Sequence, residues 1–320
     1  MLANEKVNLS IIELDFHFDL LDSLLKIVED SNYTINVFTT AKNMSLLKGI
    51  QYNENITFHI LNSFSKFLFL KRNKEIFEKS DVIFINTIAT DFGAYLALKN
   101  PSKIILRIHN INKQFNPTRS IYFPNSLFSF WKFSSYIVRQ VILKLFPIHR
   151  LIINKRIQHF TFPDEGLRDY VIEKKYLPSH KVIPSIPFKV FSSPIKPALF
   201  GDELKITIIG AIDKKRRDYS TIIEALKLLY QVNNSSIKTT LTMLGSSKGV
   251  YGEFIKEELN KIKNPNLKCI FFENKVSETN FINIMNSSHL VISPIIKDSK
   301  AEIYHETYGK TKTSGSILDF

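Results

Sequence analysis

Four consecutive cations lie between a predicted strand and a predicted helix. In KITIIGAIDKKRRDYSTIIEALKLL (205–229), an apolar run ends at Gly210, the cations 214–217 follow, and an amphipathic pattern begins. Ligands of open parallel sheets bind beyond the carboxyl ends of the strands. A guanidinium there donates charge-assisted hydrogen bonds to phosphate, and a helix start favours the same anion. The pattern therefore predicts an anion site at Gly210, Arg216 and Arg217, although a solvated turn would have the same composition.

A second group of polar residues follows the last predicted strand. The segment HETYGKTKTSGSILDF (305–320) carries an acid at Glu306 and a turn at Gly309. Small residues follow, among them the hydroxyl residue Ser314 and Gly315. At the carboxyl edge of a sheet, these groups could hold sugar hydroxyls and a diphosphate together. A capped helix start with an exposed acid is the alternative.

Two histidines follow predicted strands of the first half. His109 ends KIILRIH, and His17 follows the first strand within ELDFHFD. Their positions after strands place both near the edge of the sheet where ligands of such folds bind. A histidine at the end of a strand is otherwise ordinary polar surface.

Short apolar runs alternate with helical patterns along the whole chain. Strands that are apolar on both faces and alternate with helices indicate parallel α/β sheets. The predicted strands are 7–14, 34–40, 56–61, 81–88, 103–109, 205–210, 237–245, 267–273 and 290–295. The expected fold is α/β, with two Rossmann-like, doubly wound parallel-sheet domains.

The domain boundary is expected near 190–203. Five prolines fall within residues 176–203, and no amphipathic period runs through them. We predict an N-terminal domain over 1–190, a linker over 191–203 and a C-terminal domain over 204–320.

Composition limits the class of protein. The 43 Lys and Arg exceed the 30 Asp and Glu, which gives a net charge of +13 and suits anionic partners. The single Cys269 lies in an apolar run and is expected to be a buried, inert thiol. Residues 1–30 do not have the pattern of a secretory signal, and no apolar run is long enough to cross a bilayer. We therefore expect a cytoplasmic protein.

One aromatic and basic segment departs from the alternation. Residues 126–156 carry seven Lys, Arg or His residues and no acid. Such a segment could lie on an anionic membrane surface with its cations at the head groups. A helix that faces the core and exposes its cations to water is the alternative.

Together, GAIDKKRRDY, the ETYG loop after LVISPI and the two-domain layout resemble bacterial glycosyltransferases of the GT-B fold. The resemblance is to the retaining family-four type of surface-polysaccharide biosynthesis, and only the second half carries distinctive motifs. It implies that Gly210 and Gly309 lie in loops near the donor. Arg216 or Arg217 would neutralise the donor diphosphate, assisted by Lys312.

The resemblance also implies catalytic and acceptor-side residues. Glu306 would match the first acid of the family's two-glutamate motif, and His109 would face the transferred sugar. The second acid, which normally holds the ribose, is replaced by Ser314, so that Ser314 and Gly315 would bind the donor differently. His17 is expected on the acceptor side.

The implied activity is glycosyl transfer, hexosyltransferase-like, from a nucleotide sugar to a lipid-linked or polysaccharide acceptor. The leaving diphosphate would be stabilised by cationic side chains, with no metal and no other cofactor. The sequence contains no DxD pair, no H-E-x-x-H and no Walker A motif. A peripheral location on the cytoplasmic face of the inner membrane would follow. A nucleotide-sugar epimerase of the same fold and a non-enzymatic nucleic-acid-binding protein are the alternatives; no nucleic-acid-binding motif favours the latter.

The resemblance carries one expectation about the C-terminus. GT-B proteins normally continue beyond the ligand loop with another strand–helix unit and a terminal helix. The second domain is therefore expected to be truncated and incomplete, with lowered stability and uncertain activity for this chain alone.

Overall fold

The computed structural model describes most of the chain in two compact units. Its residues are 6–15, 17–47, 53–62, 65–89, 91–99, 103–115, 148–188, 202–214, 216–232, 236–274, 276–299 and 306–315. Contacts group Met1–Val190 with Glu302–Thr313 as the first unit, and Phe191–Ala301 with Ser314–Phe320 as the second.

The first unit is built on a six-stranded parallel sheet of order β3-β2-β1-β4-β5-β6. Its strands are β1 (Asn8–Glu13), β2 (Thr34–Thr40), β3 (Ile56–Leu61), β4 (Val82–Ile85), β5 (Lys103–Arg107) and β6 (His159–Thr161). The connections run outward from β1 to β3 and then return to β4. The topological switch point therefore lies between β1 and β4, where ligands of such sheets bind.

Helices connect these strands, as parallel pairing requires. They are α1 (Phe18–Val28), α2 (Ala41–Leu46), α3 (Lys66–Arg72), α4 (Lys74–Lys79), α5 (Ile111–Phe115), α6 (Ile148–Arg156) and α7 (Glu165–Glu173), with short 3₁₀ helices at Phe92–Ala97 and Ser179–Lys181.

Apolar side chains cover both faces of this sheet. Successive residues of β1, Ile11 and Ile12, are fully buried in different core clusters. Val37 and Phe38 of β2 divide in the same way. This two-sided burial is why the strands have continuous apolar sequences.

The second unit carries a four-stranded parallel sheet of order β10-β7-β8-β9. Its elements are β7 (Glu203–Ile209), α8 (Ser220–Lys227), a π-helical turn (Leu228–Val232), β8 (Lys238–Ser246), α9 (Val250–Asn260), β9 (Leu267–Phe272), α10 (Glu278–Ser287), β10 (Leu290–Ile292) and the two-residue β11 (Asp298–Ser299). The chain passes from β7 to β9 on one side and returns to β10 on the other. The switch point of this sheet is therefore between β7 and β10.

The predicted fold class, α/β with two parallel-sheet units, is confirmed. All nine predicted strands are present within a few residues of their predicted ends. The structure adds β6, whose three residues are too short to show a pattern. Contacts assign Glu302–Thr313 to the first unit, which differs from the predicted domain range of 204–320. Most of the predicted linker, 191–203, lies outside the described residues.

Most of the predicted membrane-surface segment, residues 126–147, also lies outside the described residues. Its last part forms α6, in which Ile153 is buried and Leu151 is exposed. None of the described helices combines the length and apolar character needed to cross a bilayer.

Candidate functional site

A buried carboxyl group lies at the switch point of the first sheet. Glu13 ends β1 with no exposed surface. Its Oε2 accepts hydrogen bonds from Asn86 Nδ2 at 2.7 Å and Thr87 Oγ1 at 2.8 Å, and its Oε1 accepts from the Asp15 amide at 2.9 Å. Burial outweighs these bonds and raises the pKa of Glu13 to about 7.

A buried guanidinium lies one step further along the network. Arg107, the last residue of β5, is 1% exposed and donates to the side-chain oxygen of Asn86. It also donates to the carbonyls of Leu20 and Pro187, each at 3.3 Å. Burial lowers the pKa of Arg107 to about 10, so it remains a cation at neutral pH. Asn86 thus links a carboxyl group of β1 to a cation of β5.

A second acid follows β1 and is fully engaged. Asp15 is 3% exposed and accepts from Lys66 Nζ and from the Ala89 amide, each at 2.8 Å. Once the chain has folded, this buried ion pair and the additional amide donor hold the Asp15 carboxylate in place. The bonds fix α3 and the chain after β4 to the end of β1.

His109 and His17 lie side by side beyond β5 and β1. Their ring centroids are 5.1 Å apart in an edge-on arrangement, and Phe188 also packs edge-on against His109, with the ring centroids 6.0 Å apart. Burial, assisted by His17, Lys113, Arg107 and Lys312, lowers the pKa of His109 to about 3. The pKa of His17 is lowered as well, chiefly by burial. The His109 ring is therefore neutral at physiological pH.

The segment that carries Glu306 packs on the first unit. Its strand β12 (Glu306–Thr307) begins with Glu306, which is 6% exposed. Its Oε2 accepts from Asn112 Nδ2 at 3.1 Å and from Thr311 Oγ1 at 2.5 Å. The Ile111 amide donates to the Thr311 carbonyl at 2.8 Å, and Thr313 donates to Asp164. These bonds explain why residues 306–313 belong with the first unit.

The other predicted residues of this segment lie in its turn and just after it. Gly309 adopts a φ of +78°. Its carbonyl packs closely on Gly166, since a Cβ added to Gly166 would lie 2.5 Å from the Gly309 carbonyl oxygen. Lys312 pairs with Asn110 through the backbone, and its ammonium lies 5.9 Å from the centre of the Tyr308 ring. Contacts assign Ser314 and Gly315 to the second unit.

In the second unit, Gly210 provides the space for a guanidinium. It follows β7 with a φ of +92°, and an added Cβ would lie 1.9 Å from Nη2 of Arg217. Arg217 is half-buried and donates to Ser293 Oγ, just after β10, at 3.4 Å. Gly210 and Ser293 follow the two strands that flank the switch point, so Arg217 lies at that point of the sheet.

Arg216 differs from its neighbour. It is exposed and pairs with Asp213 at 3.2 Å. The start of α8 is occupied as well, because Asp218 accepts from the Ser220 amide at 3.0 Å and from the hydroxyls of Ser220 and Thr221. The helix start that the sequence proposed for an anion therefore already holds a carboxylate of the chain.

The structure brings the predicted residues into two groups. His17, His109, Glu306 and Lys312 gather around the chain after β5, and Gly210 and Arg217 adjoin each other at the end of β7. Sequence reasoning missed the network of Glu13, Asp15, Asn86, Thr87 and Arg107. Its signal was available, since each of these polar residues interrupts or ends an apolar strand.

Neither metal-ligand clusters nor a reactive thiol stand out in the described residues. Within them, no three His, Cys, Asp or Glu side chains meet as a set that could bind a metal ion. Cys269 is half-buried, and burial raises its pKa to about 11, so the side chain is a neutral thiol at physiological pH.

The architecture defines a class: two Rossmann-like parallel α/β units in one chain, the plan of GT-B proteins. No family model matches the sequence, and no curated protein matches it.

Several solved structures are similar to the model. HepE from Anabaena, solved with UDP and glucose, is 10% identical, with a TM-score of 0.49 over 89% of this chain and 73% of that one. UDP-GlcNAc 2-epimerase from Neisseria meningitidis, bound to UDP-GlcNAc, is 15% identical, with a TM-score of 0.45 over 90% and 77%. MurG from Acinetobacter baumannii is 10% identical, with a TM-score of 0.44 over 90% and 71%. Identities and scores this low assign none of these activities to the chain.

Proposed function

We propose that this chain is a glycosyltransferase that moves a sugar from a nucleotide sugar to a lipid-linked or polysaccharide acceptor. One observation carries the proposal: the guanidinium of Arg217 lies over Gly210 at the switch point of the second sheet. The GT-B resemblance of the sequence supports the same assignment.

The position favours an anion that binds to a guanidinium at the end of a strand. Gly210 has no side chain, and the Arg217 guanidinium occupies the space that a Cβ would take at the end of β7. Gly245, near the end of β8, lets the chain after β7 pack closely against it, since a Cβ there would lie 2.2 Å from the Gly210 carbonyl oxygen. A guanidinium fixed beside such a loop can donate two parallel hydrogen bonds to a phosphate.

The leaving diphosphate would be stabilised by side-chain cations. Because Asp218 already caps the start of α8, Arg217 would stabilise the charge that develops on the departing phosphate. The exposed Lys214 and Arg216 are near Arg217 in sequence. Preorganised donors of this kind stabilise the transition state without a metal ion.

His109 and Glu306 would be the hydrogen-bonding groups of the first unit. With a pKa of about 3, His109 cannot act as an imidazolium acid at neutral pH, but it can exchange hydrogen bonds with a bound substrate. Glu306 already accepts two hydrogen bonds at Oε2. This engagement supports a positioning role for Glu306 and disfavours one as nucleophile.

Thermal unfolding with UDP, GDP or CMP tests the donor site. A nucleotide that binds only the folded chain stabilises it by about 2.7 kcal/mol at a hundredfold excess over Kd. We expect stabilisation by one nucleotide and a roughly tenfold or greater loss of affinity in Arg217→Ala, since a charge-assisted bond contributes about 1.5–3 kcal/mol.

The matched control is Lys238→Ala, which removes a cation from the exposed first residue of β8, at the opposite edge of the same sheet. Equal losses in both variants would reduce the effect to net charge and contradict the site. Consumption of a nucleotide sugar without any acceptor would indicate an epimerase.

A further inference from the structure

A small pocket of the first unit lies at the carboxyl end of β5 and is lined mainly by polar groups. Its lining includes Arg107, His109, Asn110, Lys113 and Gln114, with Ile88 and Ala89 on the apolar side. The enclosed part measures about 20 Å³. That is room for one water-sized atom.

Two buried nitrogens of these lining residues have no partner. Among the described residues, neither Nε of Arg107 nor Nδ1 of His109 has a hydrogen-bond partner. Leaving a buried donor unsatisfied lowers the stability of the fold, so such groups indicate a binding partner outside the chain. The Arg107 Nε–H can only donate, which requires an acceptor atom.

The surroundings of the pocket are cationic. Arg107 and Lys113 line it, and Lys312 pairs with lining residue Asn110 through the backbone. Of the nearby acids, Asp15 is paired with Lys66, and Glu13 offsets part of the charge of Arg107. Lys113 and Lys312 add further positive charge around His109. A neutral sugar hydroxyl does not require this charge, whereas an oxyanion does.

We propose that this pocket binds one oxygen of an oxyanion, a phosphate or a carboxylate, carried by the acceptor substrate. The assignment to the acceptor rests on the proposed function, in which the second unit binds the donor. The anion places one oxygen in the pocket against Arg107 and His109. Its remaining oxygens lie at the mouth, within reach of Lys113.

Titration of the full chain with small anions tests the pocket without any knowledge of the acceptor. The probes are methyl phosphate and acetate at constant ionic strength in chloride, with glucose as the uncharged probe. The readouts are the thermal midpoint and the imidazole NMR signals of ¹⁵N-labelled histidines. We expect one anion to stabilise the chain and shift the signals of His109 and His17, while glucose does neither.

Lys113→Met removes a half-buried cation of the lining and keeps most of the aliphatic stem. We expect the anion Kd to rise about five- to tenfold, as for the loss of one partly exposed charge-assisted bond. The matched control is Lys103→Met, at the exposed first residue of β5 and thus at the opposite edge of the sheet. It should leave the anion Kd unchanged.

Failure of this proposal is distinguishable from failure of the donor site. Arg217→Ala should keep anion binding, and Lys113→Met should keep nucleotide binding. The pocket proposal is overturned if both lysine variants weaken the anion equally, or if neither anion moves the histidine signals. A preference for methyl phosphate indicates a phosphorylated acceptor, and a preference for acetate indicates an acidic sugar.

Discussion

The carboxyl edges of the two sheets hold their charges in opposite ways. In the first unit, Glu13 and Arg107 are fully buried and joined through Asn86. In the second, Arg216 is exposed, and Arg217 is half-buried over a glycine. The fold itself supplies most of the hydrogen bonds of the buried charges, whereas exposed charges contact water, which a ligand can replace at little cost to stability. The two arginine-containing edges should therefore respond very differently to substitution.

The largest effect is expected for Arg107→Met. Methionine keeps the apolar contact with Phe84 and Phe188 but leaves the carbonyls of Leu20 and Pro187 and the side chain of Asn86 without their donor. We expect a loss of about 3 kcal/mol in the free energy of unfolding, measured with urea at pH 7. A loss below about 1 kcal/mol would show that the buried network contributes little to the fold.

Next in size is the pH dependence due to Glu13. The pKa of Glu13 is about 7 in the folded chain and 4.5 for an unperturbed glutamate. The folded state therefore binds this proton more tightly than the unfolded state does. The stability from this group is complete below about pH 4.5 and is lost as the pH rises through 7, by up to about 3 kcal/mol.

Glu13→Gln removes this titration. The amide lacks one acceptor, so we expect lower stability at pH 5 but a flatter profile between pH 5 and 8. Urea unfolding of both proteins across that range measures the difference. A difference that stays constant with pH would mean that Glu13 titrates normally. Glu257→Gln, on the exposed face of α9, is the control that should leave the profile unchanged.

A smaller effect is expected where Glu306 holds its segment to the first unit. Glu306→Ala leaves Asn112 and Thr311 without their shared acceptor, and we expect a loss of about 2 kcal/mol. Glu306→Gln keeps one oxygen and should lose much less. Hydrogen exchange at the Ile111 amide, which donates to Thr311, gives a local measure. Equal protection of that amide in wild type and Glu306→Ala would contradict the anchoring role.

These contrasts show which parts of the molecule its sequence could predict. The strands were predictable because apolar runs with turn residues between them depend on local sequence alone. The turn after Gly210 was predictable because its four cations are adjacent in the chain. The position of Arg217 at the switch point then follows from the parallel topology.

The rest depends on contacts between distant residues. Glu306 and Asn112 are 194 positions apart, and no local pattern pairs them. Glu13 and Arg107 each appear as a polar residue at the end of a largely apolar strand, and only the order of β1, β4 and β5 brings them to one network. The cap by Asp218 at α8 was visible as an acid before a helix, but the adjacent cations drew the interpretation toward an anion.

The smallest effect is expected for Arg216→Ala, and it completes the comparison with Arg107. The exposed pair with Asp213 resembles other surface ion pairs, which contribute about 0–1 kcal/mol. We expect a change below about 0.5 kcal/mol in urea unfolding and a smaller loss of nucleotide affinity than in Arg217→Ala. Destabilisation above about 1 kcal/mol would mean that the turn after β7 is held by its cations. An affinity loss equal to that of Arg217→Ala would mean that both guanidinium groups contact the ligand. The position of Arg217 beside Gly210 would then give it no greater role in nucleotide binding than Arg216 has.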